Sequence, residues 1–217
     1  MEAAIFDMDG LLADTEPLWH EVECAAYAEV GLHVTAQECM QTMGMRVDEA
    51  VGYWFARSPW AGVTPAVLSV RIVDRMVDAI STRTEPMPGA IDLIARVRAR
   101  GWSVALASSS PYAIIDAVVT RCGFLDAFEV IHSAQDEDYG KPHPAIYLTA
   151  AAKLGVAPTA CVALEDSVNG MVAAKAARMG CIAVPMPEAR SDPRWALADV
   201  VVESLADVDD ACLDALS

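Results

Sequence analysis

Basic residues are scarce in this chain: 15 lysines and arginines stand against 31 aspartates and glutamates, for a formal charge of -16 at pH 7. That balance argues against nucleic acid or an anionic membrane as a partner, because both reward a basic surface. Cysteines are few and scattered. Cys24, Cys39, Cys122, Cys161, Cys181 and Cys212 show neither CxxC nor histidine-rich spacing, so neither a zinc site nor a disulfide framework is indicated. Reduced thiols in a cytoplasm are the expected state. No apolar run approaches the ~20 residues of a membrane span, and the N-terminus has no basic start followed by an apolar stretch, so the expected location is cytoplasmic. Internal repeats, low-complexity segments and long charge blocks are missing as well. What is there is 217 residues, 54% of them hydrophobic, enough for one domain with a full core and a sizeable insert.

From about residue 86 onward, short β-prone apolar runs alternate with helical stretches, the pattern of a parallel sheet wrapped by helices. The runs are Trp102 to Ala107, Phe128 to Ile131, Cys161 to Leu164 and Cys181 to Val184. Between them, Ile91, Ile94 and Val97, then Ile114, Ile115, Val118 and Val119, repeat at helical spacing and stop at Gly101 and Gly123, both placed as residues just past a helix end. Ile146, Ala150 and Leu154 repeat the theme before Gly155. Ser110-Pro111 and His143-Pro144 set proline at first helical positions. Residues 16 to 85 break the alternation. Leu18, Val22 and Ala25 mark one helix, Thr35 to Glu38 has capping-box spacing, Val47, Val51, Trp54 and Phe55 line another, and Thr64-Pro65 starts a last one striped by Leu68, Ile72, Met76 and Ile80. The expected organisation is a catalytic core of residues 1–15 and 86–217 with a helical domain, residues 16–85, inserted in it. Its two crossings, near Asp14-Thr15 and at Glu85 to Gly89, lie at one place and make a hinge over the end of strand one.

Asp7-Met8-Asp9-Gly10 directly follows the apolar Ala3-Ala4-Ile5-Phe6, so two carboxylates emerge where a buried strand leaves its sheet. Such a pair suits an Asx turn; it also suits a nucleophile, Asp7, and a separate acid/base, Asp9. A phosphate ester repels an attacking carboxylate by ~4 kcal/mol per charge pair at ~4 Å and an effective dielectric of ~20. A cation must offset that. Glu165-Asp166-Ser167 ends the run from Cys161, and in a parallel sheet its acids emerge beside Asp7, although acids also suit a helix N-terminus for its dipole. Magnesium prefers hard oxygen ligands in octahedral geometry, which makes Asp7 and Asp166 its best ligands, Glu165 the next, and Asp9 a contributor through its backbone carbonyl. Ser108, ending the run from Ser103, sets a hydroxyl and amides at the next helix N-terminus as a phosphate cradle, with Ser109 and Ser110 adding backbone donors or caps. Lys141, fixed between Gly140 and Pro142, either stands on an exposed loop or holds its ammonium against both Asp7 and a phosphate.

The order Asp7-x-Asp9, Ser108, Lys141, Glu165-Asp166, each after a candidate strand or its loop, resembles the four motifs of the haloacid dehalogenase superfamily. They match Asp7 to Thr15 (DMDGLLADT), Ser108, Lys141 in GKPHP, and EDSVNG at Glu165 to Gly170. Within that superfamily the chain is similar to the β-phosphoglucomutase-like phosphatases. EPLW at Glu16 to Trp19, ARSPW at Ala56 to Trp60, LASSSP at Leu106 to Pro111 and CVALEDSVNGM at Cys161 to Met171 look like the hexitol-phosphate and 2-deoxyglucose-6-phosphate phosphatase group. The resemblance covers essentially the whole chain. It implies an α/β fold, a doubly wound (Rossmann-like) parallel sheet with an inserted helical C1 cap. It further implies a Mg²⁺-dependent phosphatase that acts on small phosphorylated sugars or sugar alcohols through an aspartyl-phosphate. A sugar phosphomutase of the β-phosphoglucomutase type is the nearer alternative; against it, Trp19 stands where such mutases typically carry histidine, and Tyr112 where they carry asparagine. The alternative of another class, a non-catalytic phospho-acceptor module, has no place for a helical insert after strand one. In the cap, Arg46 is expected to reach substrate, Trp19 to wall the pocket, and His20 and Trp54 to be structural. A monomer or weak dimer binding a small phosphorylated metabolite is the expected assembly.

Overall fold

The computed structural model describes residues 1–216. Its first strand, β1 (Ala3–Phe6), is followed by four helical segments, α1 (Glu16–Glu29), α2 (Ala36–Cys39), α3 (Val47–Arg57) and α4 (Pro65–Arg83). Strand and helix then alternate: α5 (Ala90–Ala99), β2 (Ser103–Ser108), α6 (Tyr112–Arg121), β3 (Val130–Ser133), α7 (Ala145–Leu154), β4 (Cys161–Glu165), α8 (Val168–Ala176), β5 (Gly180–Ala183), β6 (Val200–Val201) and α9 (Asp210–Asp214). The strands make one sheet in the order β3-β2-β1-β4-β5-β6, and every pairing is parallel. This is a doubly wound arrangement whose direction reverses beside β1, the place where open parallel sheets bind ligands at the carboxyl ends of their strands. Phe6 is in register with Leu106 on one side and Leu164 on the other. Asp7, Ala107 and Glu165 therefore leave the sheet side by side.

The two faces of the sheet are built from different sizes of side chain. Phe6, Val104, Leu106, Val162, Leu164 and Ile182 fill one face and pack with α5, α6 and the helical segment. Ala3, Ala105, Ala107, Ala163 and Ala183 line the other, where α7 and α8 supply Ala150, Ala151, Ala173 and Ala174 between the bulkier Tyr147, Ile146 and Met171. In β2 and β4 large and small side chains alternate with the strand's period of two, while β1 departs from this by setting Ala4 on the first face and Ile5 on the second. The small face lets α7 and α8 lie close on the sheet, which brings their first turns to the strand ends.

Between residues 16 and 83 the described chain holds helices and turns without a strand. Thr35 and Glu38 form the expected capping box, with the Glu38 amide donating to Thr35 Oγ1 at 3.2 Å and the Thr35 amide to Glu38 Oε2 at 2.9 Å. Leu68, Ile72, Met76 and Ile80 of α4 are fully buried, packed against α1, α3 and α6. The two crossings are bonded to each other: the Asp14 amide donates to the Glu85 carbonyl at 3.0 Å and the Met87 amide to the Leu12 carbonyl at 2.9 Å.

Strand limits differ from expectation by one or two residues, since β3 starts at Val130 rather than Phe128, whose ring instead packs edge-on with Phe6 and Phe124. Pro111 and Pro144 cap their helices and do not begin them. The two-residue β6 carries too short a pattern to announce itself. Because Ala163 lies on the small face of a central strand, Ala163→Val is expected to destabilise the fold by about 1–3 kcal/mol through overpacking, read as a lower urea midpoint at unchanged m-value.

Candidate active site

Parallel register sets Asp7 and Glu165 together, buried, at the ends of β1 and β4, where their repulsion demands a cation. Lys141 supplies it from the loop between β3 and α7. Its Nζ donates to Asp7 Oδ1 at 2.5 Å, to Glu165 Oε1 at 2.6 Å and to the Ala107 carbonyl at 3.4 Å, using all three ammonium donors. Burial works against the lysine's charge, but Asp7 and Glu165 outweigh it and hold the ammonium above its ordinary range. Glu165 is further fixed by the Tyr147 hydroxyl on Oε1 at 2.5 Å and by the Ser167 amide and hydroxyl on Oε2 at 3.3 and 3.1 Å. Ser167 also caps α8, accepting from the Gly170 amide at 3.0 Å. A Cβ on Gly170 would stand 1.8 Å from Glu165 Oε1, so this glycine is the space the carboxylate occupies.

Asp166 lies beside this trio, and one oxygen from each of Asp7, Glu165 and Asp166 falls within 4.8 Å of the others. Its Oδ2 is buried with no hydrogen-bond partner among the described residues. A Cβ on Gly10 would come within 2.2 Å of that oxygen, so the loop after β1 cradles it. Burial pushes the Asp7 carboxyl up to about 8, Lys141 offsetting only part of the effect while Glu165 and Asp9 add to it. Burial, then Asp7, Glu16 and Glu165, drives Asp166 well above the carboxylate range. An orphaned carboxylate oxygen among acids that resist ionisation is a donor set that fits a hard divalent cation. With Glu165 engaged by four donors, Asp7 and Asp166 are the oxygens left to hold it.

Asp9 points elsewhere. Its Oδ1 accepts from Thr15 Oγ1 at 2.8 Å and Trp19 Nε1 at 2.9 Å, its Oδ2 from Ser110 Oγ at 2.7 Å and Ser108 Oγ at 3.3 Å. The side chain is thus outside the acidic trio, which leaves the backbone carbonyl as its route to a metal. Ser108 is fully buried, and its hydroxyl also accepts from the Ser110 amide at 3.1 Å. Ser110 is thus a backbone donor as expected and also gives its hydroxyl to Asp9, while the Ser109 hydroxyl donates to the Gly44 carbonyl at 2.7 Å.

Gly44 belongs to the helical segment, which leans over these residues and leaves a cavity partly open to solvent between them. Trp19 walls that space as expected. Arg46 does not line it. Its guanidinium is held by Asp48 at 2.6 Å and by the carbonyls of Glu137 at 2.7 Å and Ala134 at 3.4 Å, so it ties the start of α3 to the Lys141 loop instead of reaching substrate. Glu49 reinforces the tie by accepting from the Gly140 amide at 3.0 Å, and Asn169 Nδ2 donates to the Met43 carbonyl at 2.9 Å. Sequence reasoning missed Glu49, Tyr147, Glu16 and Glu23. The last two, buried on α1, line the cavity, and burial first of all pushes them up to about 8 and about 7. Two acids seven apart, with His20 between them on the same helix face, were the available signal.

Four carboxyls raised by burial mean that the metal-free folded chain binds more protons than the unfolded one between about pH 4 and 8. Stability is therefore expected to fall as pH rises through that window. Thermal unfolding in chelator should show a lower Tm at pH 8 than at pH 5, with Mg²⁺ restoring more at pH 8. At about 2–4 °C per kcal/mol, Asp166→Asn should raise the chelated Tm at pH 8 by about 3 °C or more and lose most of the response to Mg²⁺.

A family model described as haloacid dehalogenase-like hydrolase matches residues 1–178. The chain is 45% identical over 207 residues to hexitol phosphatase B of Escherichia coli K12, covering 95% of this chain and 93% of that one. Crystal structures of CbbY from Rhodobacter sphaeroides superpose closely. The phosphate complex gives a TM-score of 0.89 at 30% identity over 99% of each chain, and a variant bound to xylulose-(1,5)bisphosphate gives 0.87 at 29% over 96% of each. Fold, motif order and sequence similarity agree, and the chain belongs to the haloacid dehalogenase-like hydrolases.

Proposed function

We propose that this chain is a Mg²⁺-dependent phosphatase that hydrolyses the phosphomonoesters of small sugars or sugar alcohols by way of an aspartyl-phosphate on Asp7. The observation that carries the proposal is Asp7 itself, a buried carboxylate at the strand end, gripped through Oδ1 by Lys141, next to the unpartnered Oδ2 of Asp166. Lys141 leaves Asp7 Oδ2 for attack and aims positive charge at the phosphoryl oxygens. Asp7, Asp166 and the Asp9 carbonyl would hold the metal, with Glu165 next to them. Bound there, Mg²⁺ would neutralise the phosphate and return Asp7 to its ionised form.

Asp9, held by four donors on a second pedestal, is placed to give a proton to the departing alcohol and then to take one from the water that opens the acyl phosphate. Ser108, with the amides that follow it, would receive the phosphoryl oxygens. Residues 16–85 serve in this scheme as a C1 cap over a core of 1–15 and 86–217. Trp19, on the cap side, closes the cavity and keeps Asp9 in place, and the same contact favours hydrolysis over a mutase, where histidine would stand. Six free cysteines suit a reducing compartment, and we place the enzyme in the cytoplasm.

Phosphate release from a panel of hexose, deoxyhexose, hexitol and glycerol phosphates, with isomerised sugar phosphate followed in parallel, tests the assignment. Multiple turnovers with no isomer are the expected result; stoichiometric phosphorylation without turnover would sink it. Asp7→Asn is expected to lower kcat by more than about 1,000-fold with its far-UV spectrum unchanged, and Asp9→Asn by about 100-fold or more. Gly140→Ala would set a Cβ 2.3 Å from Glu49 Oε2 and 2.8 Å from Arg46 Cγ. It should cut kcat/KM at least several-fold by holding the helical segment off the Lys141 loop.

A further inference from the structure

Asp7, with Lys141 behind it, and Asp166 account for one end of the cavity, where a phosphate would react. The other end has a different chemistry. Among the described residues that line the cavity none is lysine or arginine, whereas Glu16, His20 and Glu23 all line it from one face of α1. Glu23 is 8% exposed as a residue, the Glu16 side chain is 11% exposed, and both border the open space. Their partners are weak ones: among the described residues Glu16 is paired with His20 Nε2 at 3.9 Å and Glu23 with the Cys39 thiol, while the nearby Thr42 hydroxyl is committed to the Cys39 carbonyl at 3.0 Å. Buried carboxyls short of hydrogen-bond partners are costly unless something that enters the site completes them.

We propose that Glu23, supported by Glu16, reads the hydroxyls of an uncharged polyhydroxy tail, and that the cavity accepts polyol monophosphates while rejecting substrates with a second phosphate. This deepens the phosphatase assignment above and rests on it. An alcohol O–H donates to a carboxylate oxygen, and the two oxygens of one carboxylate match the spacing of neighbouring hydroxyls on an open chain. A second phosphate asks the opposite of the site: it is an acceptor and an anion, and wherever the cavity wall strips its water it needs cationic donors in exchange. An ionised glutamate repels it, and a protonated one offers a single hydrogen bond. The apolar remainder of the wall, Met43, Met45, Val47 and Ala50, offers neither charge nor donor side chains. Selectivity of this kind lies in the lining of this chain and not in the fold.

The test is steady-state hydrolysis, with Mg²⁺ present, of a hexitol 6-phosphate, a hexose 1,6-bisphosphate and phenyl phosphate, which has no hydroxyl tail. The wild-type enzyme should favour the hexitol monophosphate over the bisphosphate by about 100-fold or more in kcat/KM. Glu23→Met should lower the ratio of hexitol phosphate to phenyl phosphate activity about tenfold or more, chiefly through KM for the hexitol ester. Glu23→Gln, which keeps a carbonyl acceptor, should hold that ratio within about threefold of wild type. Comparable turnover of the mono- and bisphosphates by wild type would overturn the proposal, and so would a ratio that Glu23→Met leaves unmoved. Because the wild-type comparison needs no variant, poor folding of Glu23→Met leaves the proposal open to refutation. Failure to hydrolyse any of the three esters would instead bring down the phosphatase assignment itself.

Discussion

Everything at the carboxyl edge of this sheet depends on one ammonium ion shared by two buried carboxylates. Lys141 is 2% exposed, and its contacts at 2.5 and 2.6 Å tie Asp7 on β1 to Glu165 on β4. Parallel register makes the pair adjacent; adjacency without a cation would be untenable. Tyr147 and Ser167 then hold Glu165 so that the lysine has one place to be, and Gly170 gives that carboxylate its room. Removing the lysine would strand two acids at once, so the residue proposed to meet the phosphate is also part of what keeps the strand ends together.

The electrostatics have a consistent direction. The chain is acidic overall, and the cavity is lined by five acids, Asp7, Asp9, Glu16, Glu23 and Asp166. A phosphate arriving there meets repulsion from nearly every side except that of Lys141. Such a site does not concentrate its substrate by field alone. It demands a compensating cation, and burial of Asp7 and Asp166 states the same demand through their reluctance to ionise. Metal and substrate phosphate therefore suit the site together better than either does alone.

The alternating apolar runs made the sheet and its wrapping helices legible from the residues, and the absence of such runs between 16 and 85 marked the helical segment. Asp7, Asp9 and Glu165-Asp166 were legible because each sits at the end of a strand or just after one, where register decides position, and Lys141 because Gly140 and Pro142 mark its loop. Arg46 was misjudged for a reason sequence does not encode: Asp48, two residues on, and two carbonyls from a loop about 90 residues away capture its guanidinium. Tyr147 was hidden because its ring reads as core, which it is, with only its hydroxyl serving the site. Glu16 and Glu23 carry no sequence motif of their own, and their burial comes from where α1 packs.

The paired crossings at Leu12 to Asp14 and Glu85 to Met87 set the two ends of a 70-residue excursion side by side, bonded to each other. To the rest of the chain that excursion is a tight loop, whatever its contents, since the closure is already made at its base. In the proposed scheme, reaction and recognition would therefore lie on separate stretches of chain, the first set by strand register and the second by the helical segment. A lineage could exchange the lid wholesale, keep its chemistry, and acquire a new diet.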